Sequence, residues 1–203
     1  MSKIRIRTKK ELEERKLIFF NIIKVLKKKK IFHFLQGGIL LGACREKNFI
    51  KWDWDVEISV YAKDLINNFD ELLIELKKNK FKISSYNLTH FTPKISFYRP
   101  GHKATSFSII GWKYNIFFRS YNRAKLRIPI KFMKKMSKIK FFNKFFYAPK
   151  PVEEYLEYQY GEWKIPIRSA VKEIYLTNKF YKKNENILDI YNKIINLIFK
   201  IKK

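Results

Sequence analysis

Ile31-Phe32-His33-Phe34-Leu35-Gln36-Gly37-Gly38-Ile39-Leu40-Leu41-Gly42-Ala43, followed after a short interval by Trp52-Asp53-Trp54-Asp55-Val56-Glu57-Ile58-Ser59-Val60, is the stretch that decides the fold. A short apolar run that stops at two glycines and resumes as a brief apolar helix reads as strand, glycine turn, helix. The second run alternates strictly between polar and apolar residues, the pattern of a strand with one polar and one apolar face. Residues two apart on a strand share a face. Asp53, Asp55 and Glu57 are therefore expected to project together, with Trp54, Val56 and Ile58 turned into the core. Three like charges on one face repel unless a cation lies among them, and Mg²⁺ or Mn²⁺ takes this kind of oxygen ligand. The alternative is an exposed strand edge with its acids paired to lysines, commoner for two carboxylates than for three.

Gly37 and Gly38 would let backbone N–H groups approach a phosphate closely, with the N-terminus of the following helix adding favourable polarity. Two glycines alone say little. Joined to an acidic strand shortly afterwards, they give the layout of a nucleotidyltransferase: phosphate on the glycine turn, metal on the carboxylates, charge neutralised during in-line phosphoryl transfer.

Outward from this stretch, Thr8 with Glu11 three residues on is a capping-box pattern. It opens a helix expected over about 9–30 through Leu12, Phe19, Ile22, Ile23 and Leu26. Residues 63–79 return to helical spacing. From Phe81 to Phe118 β-favouring residues dominate, broken at Asn87, Pro93 and Pro100-Gly101, so several strands are expected, the last over Lys113–Phe118. Segment 131–146 is assigned to a helix at its start and a strand at its end. Pro149 and Pro151 open a helix that Gly161 closes. From about 184, Ile187, Ile190, Tyr191, Ile194, Ile195 and Ile198 share one helical face. Such a helix packs on the domain or lies on a membrane; packing is favoured because Leu188, Leu197, Phe199 and Ile201 widen the apolar face. With no repeat or linker, residues 1–203 are expected to form a single domain, with a motif core over about 31–166 and a C-terminal helical extension over about 167–203.

The 203 residues carry 45 Lys and Arg against 18 Asp and Glu, a formal net charge of +27. Such a potential attracts phosphate in any form, whether nucleic acid, nucleotide, anionic lipid or phosphorylated glycan, without choosing among them. Many of the lysines, as in Lys27–Lys30, are the solvated faces of helices. At 46% apolar and 17% aromatic residues the chain has ample material for a core, which excludes global disorder. Cys44 stands alone, so no internal disulfide is expected, and three histidines offer no structural zinc set. His33, His90 and His102 lack partners at ligand or triad spacing. Apolar runs fall short of the ~18 residues of a membrane span, and the charged first residues offer no signal-peptide core. The expectation is a reducing, cytoplasmic setting, with peripheral contact to anionic membrane at its inner face.

Gly38-Ile39-Leu40-Leu41-Gly42-Ala43-Cys44-Arg45-Glu46-Lys47-Asn48-Phe49-Ile50-Lys51-Trp52-Asp53-Trp54-Asp55-Val56-Glu57 resembles the LicD/fukutin signature G-T-L-L-G-A-x-R-x-K-G-x-I-P-W-D-x-D-h-D. A second block, Pro149 to Pro166 with Glu154-Tyr155-Leu156-Glu157 and Tyr160-Gly161-Glu162-Trp163, resembles the family's P-x-x-x-E-x-Y-L-E-x-x-Y-G-[DE]-W-x-x-P. The resemblance implies an α/β (α+β) fold, a nucleotidyltransferase-like mixed sheet flanked by helices. It also implies transfer of a phospho-substituent, phosphocholine or a phospho-alditol, from a CDP-linked donor to a sugar hydroxyl of a cell-surface glycan. Asp55 and Glu57 would then be the metal-binding pair, Asp53 an additional acid, and Gly37 and Gly38 the phosphate turn. Arg45 would contact phosphate bidentately or brace the acidic strand through a salt bridge.

Family members carry a further aspartate in an h-D-h-F pattern, where Tyr114-Asn115-Ile116-Phe117 offers Asn115, an amide that ligates without charge. Two alternatives stay open: a nucleotidyltransferase acting on RNA or a small molecule, and a catalytically silent member because of Asn115. Tyr160 and Trp163 are expected to pack a corner.

Overall fold

The computed structural model describes residues 5–89, 91–102, 106–169 and 171–181. The capping box forms as expected: the Thr8 N–H donates to the Glu11 carboxylate (2.8 Å) and the Glu11 N–H to the Thr8 hydroxyl (3.2 Å). It starts α1 (Lys9–Lys28), which buries Leu12, Phe19, Ile22, Ile23 and Leu26. Burying each such side chain stabilises the fold by ~1.5–3 kcal/mol. Next come β1 (His33–Phe34), α2 (Gly37–Arg45) and β2 (Asp55–Tyr61). The helical spacing of 63–79 is realised as two helices, α3 (Ala62–Asn67) and α4 (Phe69–Lys78). They part at Asn68, whose side-chain amide donates to the Asp64 carbonyl (2.8 Å) and closes the first.

The β-rich segment gives β3 (Lys82–Asn87), β4 (Lys94–Tyr98) and β5 (Ser106–Asn115). The last of these stops short of the expected Phe118, because the chain turns over 116–119, with Arg119 at φ 45°. After the hairpin of β6 (Ser120–Arg123) and β7 (Leu126–Pro129), the assignment of 131–146 needs correcting at its end. A one-turn α5 (Ile130–Met133) is followed by two strands, β8 (Ser137–Phe141) and β9 (Lys144–Ala148). The turn between them is made by Phe142 and Asn143, both at positive φ. α6 (Val152–Tyr160) ends at Gly161, as the proline-first, glycine-last pattern predicts, and α7 (Lys172–Tyr175) follows. The amphipathic tail from 184 lies outside the described residues.

The sheet runs β3-β4-β5-β2-β1-β9-β8, with β6 paired to β5 and β7 to β6. β2 is parallel to β5 and β1 to β9, while the other pairs are antiparallel. This is the expected mixed sheet flanked by helices. Val56, Ile58 and Val60 of β2 fill one face together with Ile95, Phe97, Phe107 and Ile109. α1 lies against α4, tied by Lys28–Glu75 and Lys29–Glu71 ion pairs, each at 2.8 Å. The opposite face carries Asp55, Glu57 and Ser59, beside Ser106 and Ser108 of β5.

Candidate active site

A cleft of about 750 Å³ opens where α2 begins and β2 starts. Its lining includes Gly37, Gly38, Asp53, Asp55 and Glu57. Gly37, at φ 65°, turns the chain from β1 into α2, a conformation that side chains with a Cβ rarely adopt. Gln36, at the N-cap, makes no side-chain hydrogen bond to the helix, so the first N–H groups of α2 are not taken by their cap residue. Gly38 leaves no room for a Cβ, because the Asp53 carboxylate fills that space.

The acidic segment departs from the expected strand. β2 begins at Asp55, opposite Ser106, so Asp53 precedes the ladder. The Asp53 N–H donates to the Ile50 carbonyl (3.2 Å) and its carbonyl accepts from Arg15 Nη2 (2.9 Å), which holds this backbone in a turn. Alternation therefore fails at its first members. Trp54, expected in the core, is 68% exposed at the rim of the cleft. Among the described residues, no three Asp, Glu, His or Cys side chains gather in the manner of a metal-binding group. Asp55 and Glu57 stand together on β2, while Asp53 packs on Gly38.

The three acids still feel one another. Burial raises Asp53 to about 6, with Arg15 and Arg7 pulling the other way. Burial raises Asp55 to about 7, reinforced by the charges of Glu57 and Asp53. Glu57 Oε1 accepts from Lys94 Nζ at 3.0 Å. Among the described residues no hydrogen bond or ion pair takes up the Asp55 carboxylate. An unpartnered, largely desolvated carboxylate beside a second one suits a hard divalent ion. Such an ion commonly takes one or two protein carboxylates and completes its shell with water and substrate phosphate. The donor set fits Mg²⁺ or Mn²⁺ through Asp55 and Glu57.

Arg45 lines the cleft, but its guanidinium is engaged elsewhere. Nε donates to Glu46 (2.9 Å) and Nη1 to the Trp163 carbonyl (3.0 Å). It therefore ties the end of α2 to the loop after α6 and makes no salt bridge to the acidic strand. Asn115 is not brought to the site. β5 sets Ser106 and Ser108 opposite Asp55 and Glu57, whereas Asn115 lies beyond the last pair, Tyr61 with Trp112, at the far end of the strand. There its Oδ1 accepts from the Phe118 N–H (3.1 Å) and closes a turn. The match over Tyr114–Phe117 falls on the end of β5 and the start of the turn after it, and Ser108 is the residue beside Glu57.

Lys94, Arg7 and Tyr160 were not legible as site residues, yet all line the cleft. Tyr160 and Trp163, expected only to seal a corner, form part of its wall. Arg15, 1% exposed, stands behind Asp53. A lysine on a β-rich segment or an arginine in a helix carries no sequence signal of its own, since only strand register and helix packing bring it to the acids.

A family model described as LicD/FKTN/FKRP, nucleotidyltransferase domain, matches residues 30–151, more than half of the chain. The chain belongs to the LicD/FKTN/FKRP family. Ribitol 5-phosphate transferase FKRP from Mus musculus and from Homo sapiens are each 39% identical to this LicD/FKTN/FKRP member over 46 residues. That stretch is 23% of this chain and 9% of either relative, so the match spans a small part of their length. Among solved structures, the lincosamide antibiotic adenylyltransferase LnuA bound to lincomycin aligns with a TM-score of 0.48 at 14% identity, covering 75% of this chain and 85% of that one. Among the described residues no helix is long and apolar enough to cross a membrane.

Proposed function

We propose that this LicD/FKTN/FKRP member is a metal-dependent phosphotransferase. It would move phosphocholine or a phospho-alditol from a CDP-linked donor to a sugar hydroxyl of a cell-surface glycan. The observation that carries this reading is Asp55, without a hydrogen bond or ion pair among the described residues, beside Glu57 and in the same cleft as a start of α2 that has no side-chain cap. In this reading the backbone N–H groups at Gly37 and Gly38 receive the donor diphosphate, as a helix N-terminus favours. Asp55 and Glu57 hold Mg²⁺ or Mn²⁺, which when bound offsets the charge of the diphosphate. The acceptor oxygen forms a bond to the distal phosphorus as the bond from that phosphorus to the CMP oxygen breaks. CMP departs, and the hydroxyl proton passes to a carboxylate of the cleft or to water. The +27 charge supports work beside anionic glycans or at the inner face of an anionic membrane.

The test is a donor screen by mass spectrometry: the protein with Mg²⁺, a glycan acceptor, and CDP-choline, CDP-ribitol or CDP-glycerol in turn. Release of CMP with a matching mass gain on the acceptor is expected. No release from any of the three donors, together with nucleotide incorporation into RNA from nucleoside triphosphates, would replace this reading with an RNA nucleotidyltransferase.

A further inference from the structure

The acids of the cleft have a cationic neighbour. On the face that carries Asp55 and Glu57, the adjoining strands add no carboxylate: β5 presents Ser106 and Ser108, and β4 presents Ser96 and Lys94. The Ser96 and Ser108 hydroxyls bond each other (3.2 Å), so they are neutral and mutually satisfied. Lys94 reaches across β5 to Glu57 Oε1 at 3.0 Å. It also lines the cleft and counters the charge on Asp55. Its ammonium has three donors and spends one on Glu57. Among the described residues Glu57 Oε2 takes no hydrogen bond.

Asp53 is countered by Arg15 and Arg7, which leaves the two negative charges of Asp55 and Glu57, and Lys94 already takes up part of the second. One divalent ion and one ammonium leave the pair of acids with a modest positive surplus, suited to a diphosphate. Building on the phosphotransfer reading above, we propose that Lys94 is the built-in second cation of the site. It neutralises Glu57 and binds the donor diphosphate, so the chain uses one divalent ion where a richer acidic set would take two.

The experiment counts ions and measures ligand affinity without turnover. Mn²⁺ binding is followed by electron paramagnetic resonance in the presence of CDP, and CDP binding by calorimetry, in wild type, Lys94→Met and Lys94→Arg, each checked for an unchanged circular dichroism spectrum. Wild type is expected to take one Mn²⁺. Lys94→Met should bind CDP about tenfold more weakly, the loss of one charge-assisted hydrogen bond. The same variant should bind Mn²⁺ more tightly, because a neighbouring positive charge is gone. Lys94→Arg should stay near wild type in both. Two Mn²⁺ ions in wild type, or Lys94→Met matching wild type for both ligands, would overturn the assignment of Lys94 and leave the phosphotransfer reading standing. No Mn²⁺ binding in wild type would overturn both.

Discussion

A methyl group on Gly38 would overlap the Asp53 carboxylate, so the diglycine turn and the acidic segment are in direct contact. The helix that offers N–H groups and the segment that leads into β2 are positioned by one another. Gly38→Ala should therefore push α2 and Asp53 apart, at a cost of about 1–3 kcal/mol from overpacking. Thermal unfolding and CDP calorimetry would read the effect, with both stability and affinity falling. Unchanged values would mean that the contact is soft.

Asp55→Asn separates the chemistry from the fold. Turnover should be lost while the variant becomes more stable near neutral pH. In the wild type Asp55 is raised to about 7, so between about 4 and 7 the folded state holds a proton that the unfolded state has released. Stability thus falls as pH rises through that window, and the uncharged amide of the variant removes this slope. A gain of about 1 kcal/mol at pH 7.5, worth roughly 2–4 °C in Tm, is the expected scale. Full activity in Asp55→Asn would refute its role in the site.

Arg15 is the cation behind the acids. It is 1% exposed and donates to the Asp53 carbonyl (2.9 Å). Arg15→Leu should cost about 3–5 kcal/mol, because it removes a buried charge partner and leaves Arg7 to offset Asp53 without it. Arg15→Lys should recover little of this, since an ammonium does not reproduce the planar fork. Chemical denaturation of the two variants gives the comparison, and a rescue by lysine would count against the geometric argument.

His33 supplies an opposite pH signature. Its ring lies against the Ile31 carbonyl (3.0 Å), and burial lowers its pKa from 6.5. The unfolded state then binds the extra proton first, so this group's contribution is intact above about 6.5 and is lost as pH falls through the folded-state value. His33→Gln should flatten that decline. A denaturation series from pH 7.5 to 5, run beside wild type, would detect the change in slope.

The parts of the fold set by local rules were legible in the residues. Thr8 and Glu11 announced α1, the run from Pro149 to Gly161 announced α6, and Gly37-Gly38 with Asp55 and Glu57 marked the centre of the cleft. Alternation carried the reading too far at Asp53 and Trp54, because a polar-apolar pattern does not say where a hydrogen-bonded ladder begins. Asn115 failed for a related reason: four residues fix neither register nor strand end. Lys94 was invisible because its relation to Glu57 is made by antiparallel pairing of β4 with β5 and parallel pairing of β5 with β2. No local pattern encodes such a two-step link.

Part of the cleft wall comes from the two flanks of the chain. Arg5 and Arg7 precede α1, and Tyr160, Trp163 and Tyr175 follow the family-matched span of 30–151, which itself holds Asp55, Glu57, Lys94 and the glycine turn. A fragment trimmed to that span would carry the acids but lose α1, whose Leu12, Phe19, Ile22, Ile23 and Leu26 are buried in the core, so the flanks belong to the folding unit as much as to the cleft.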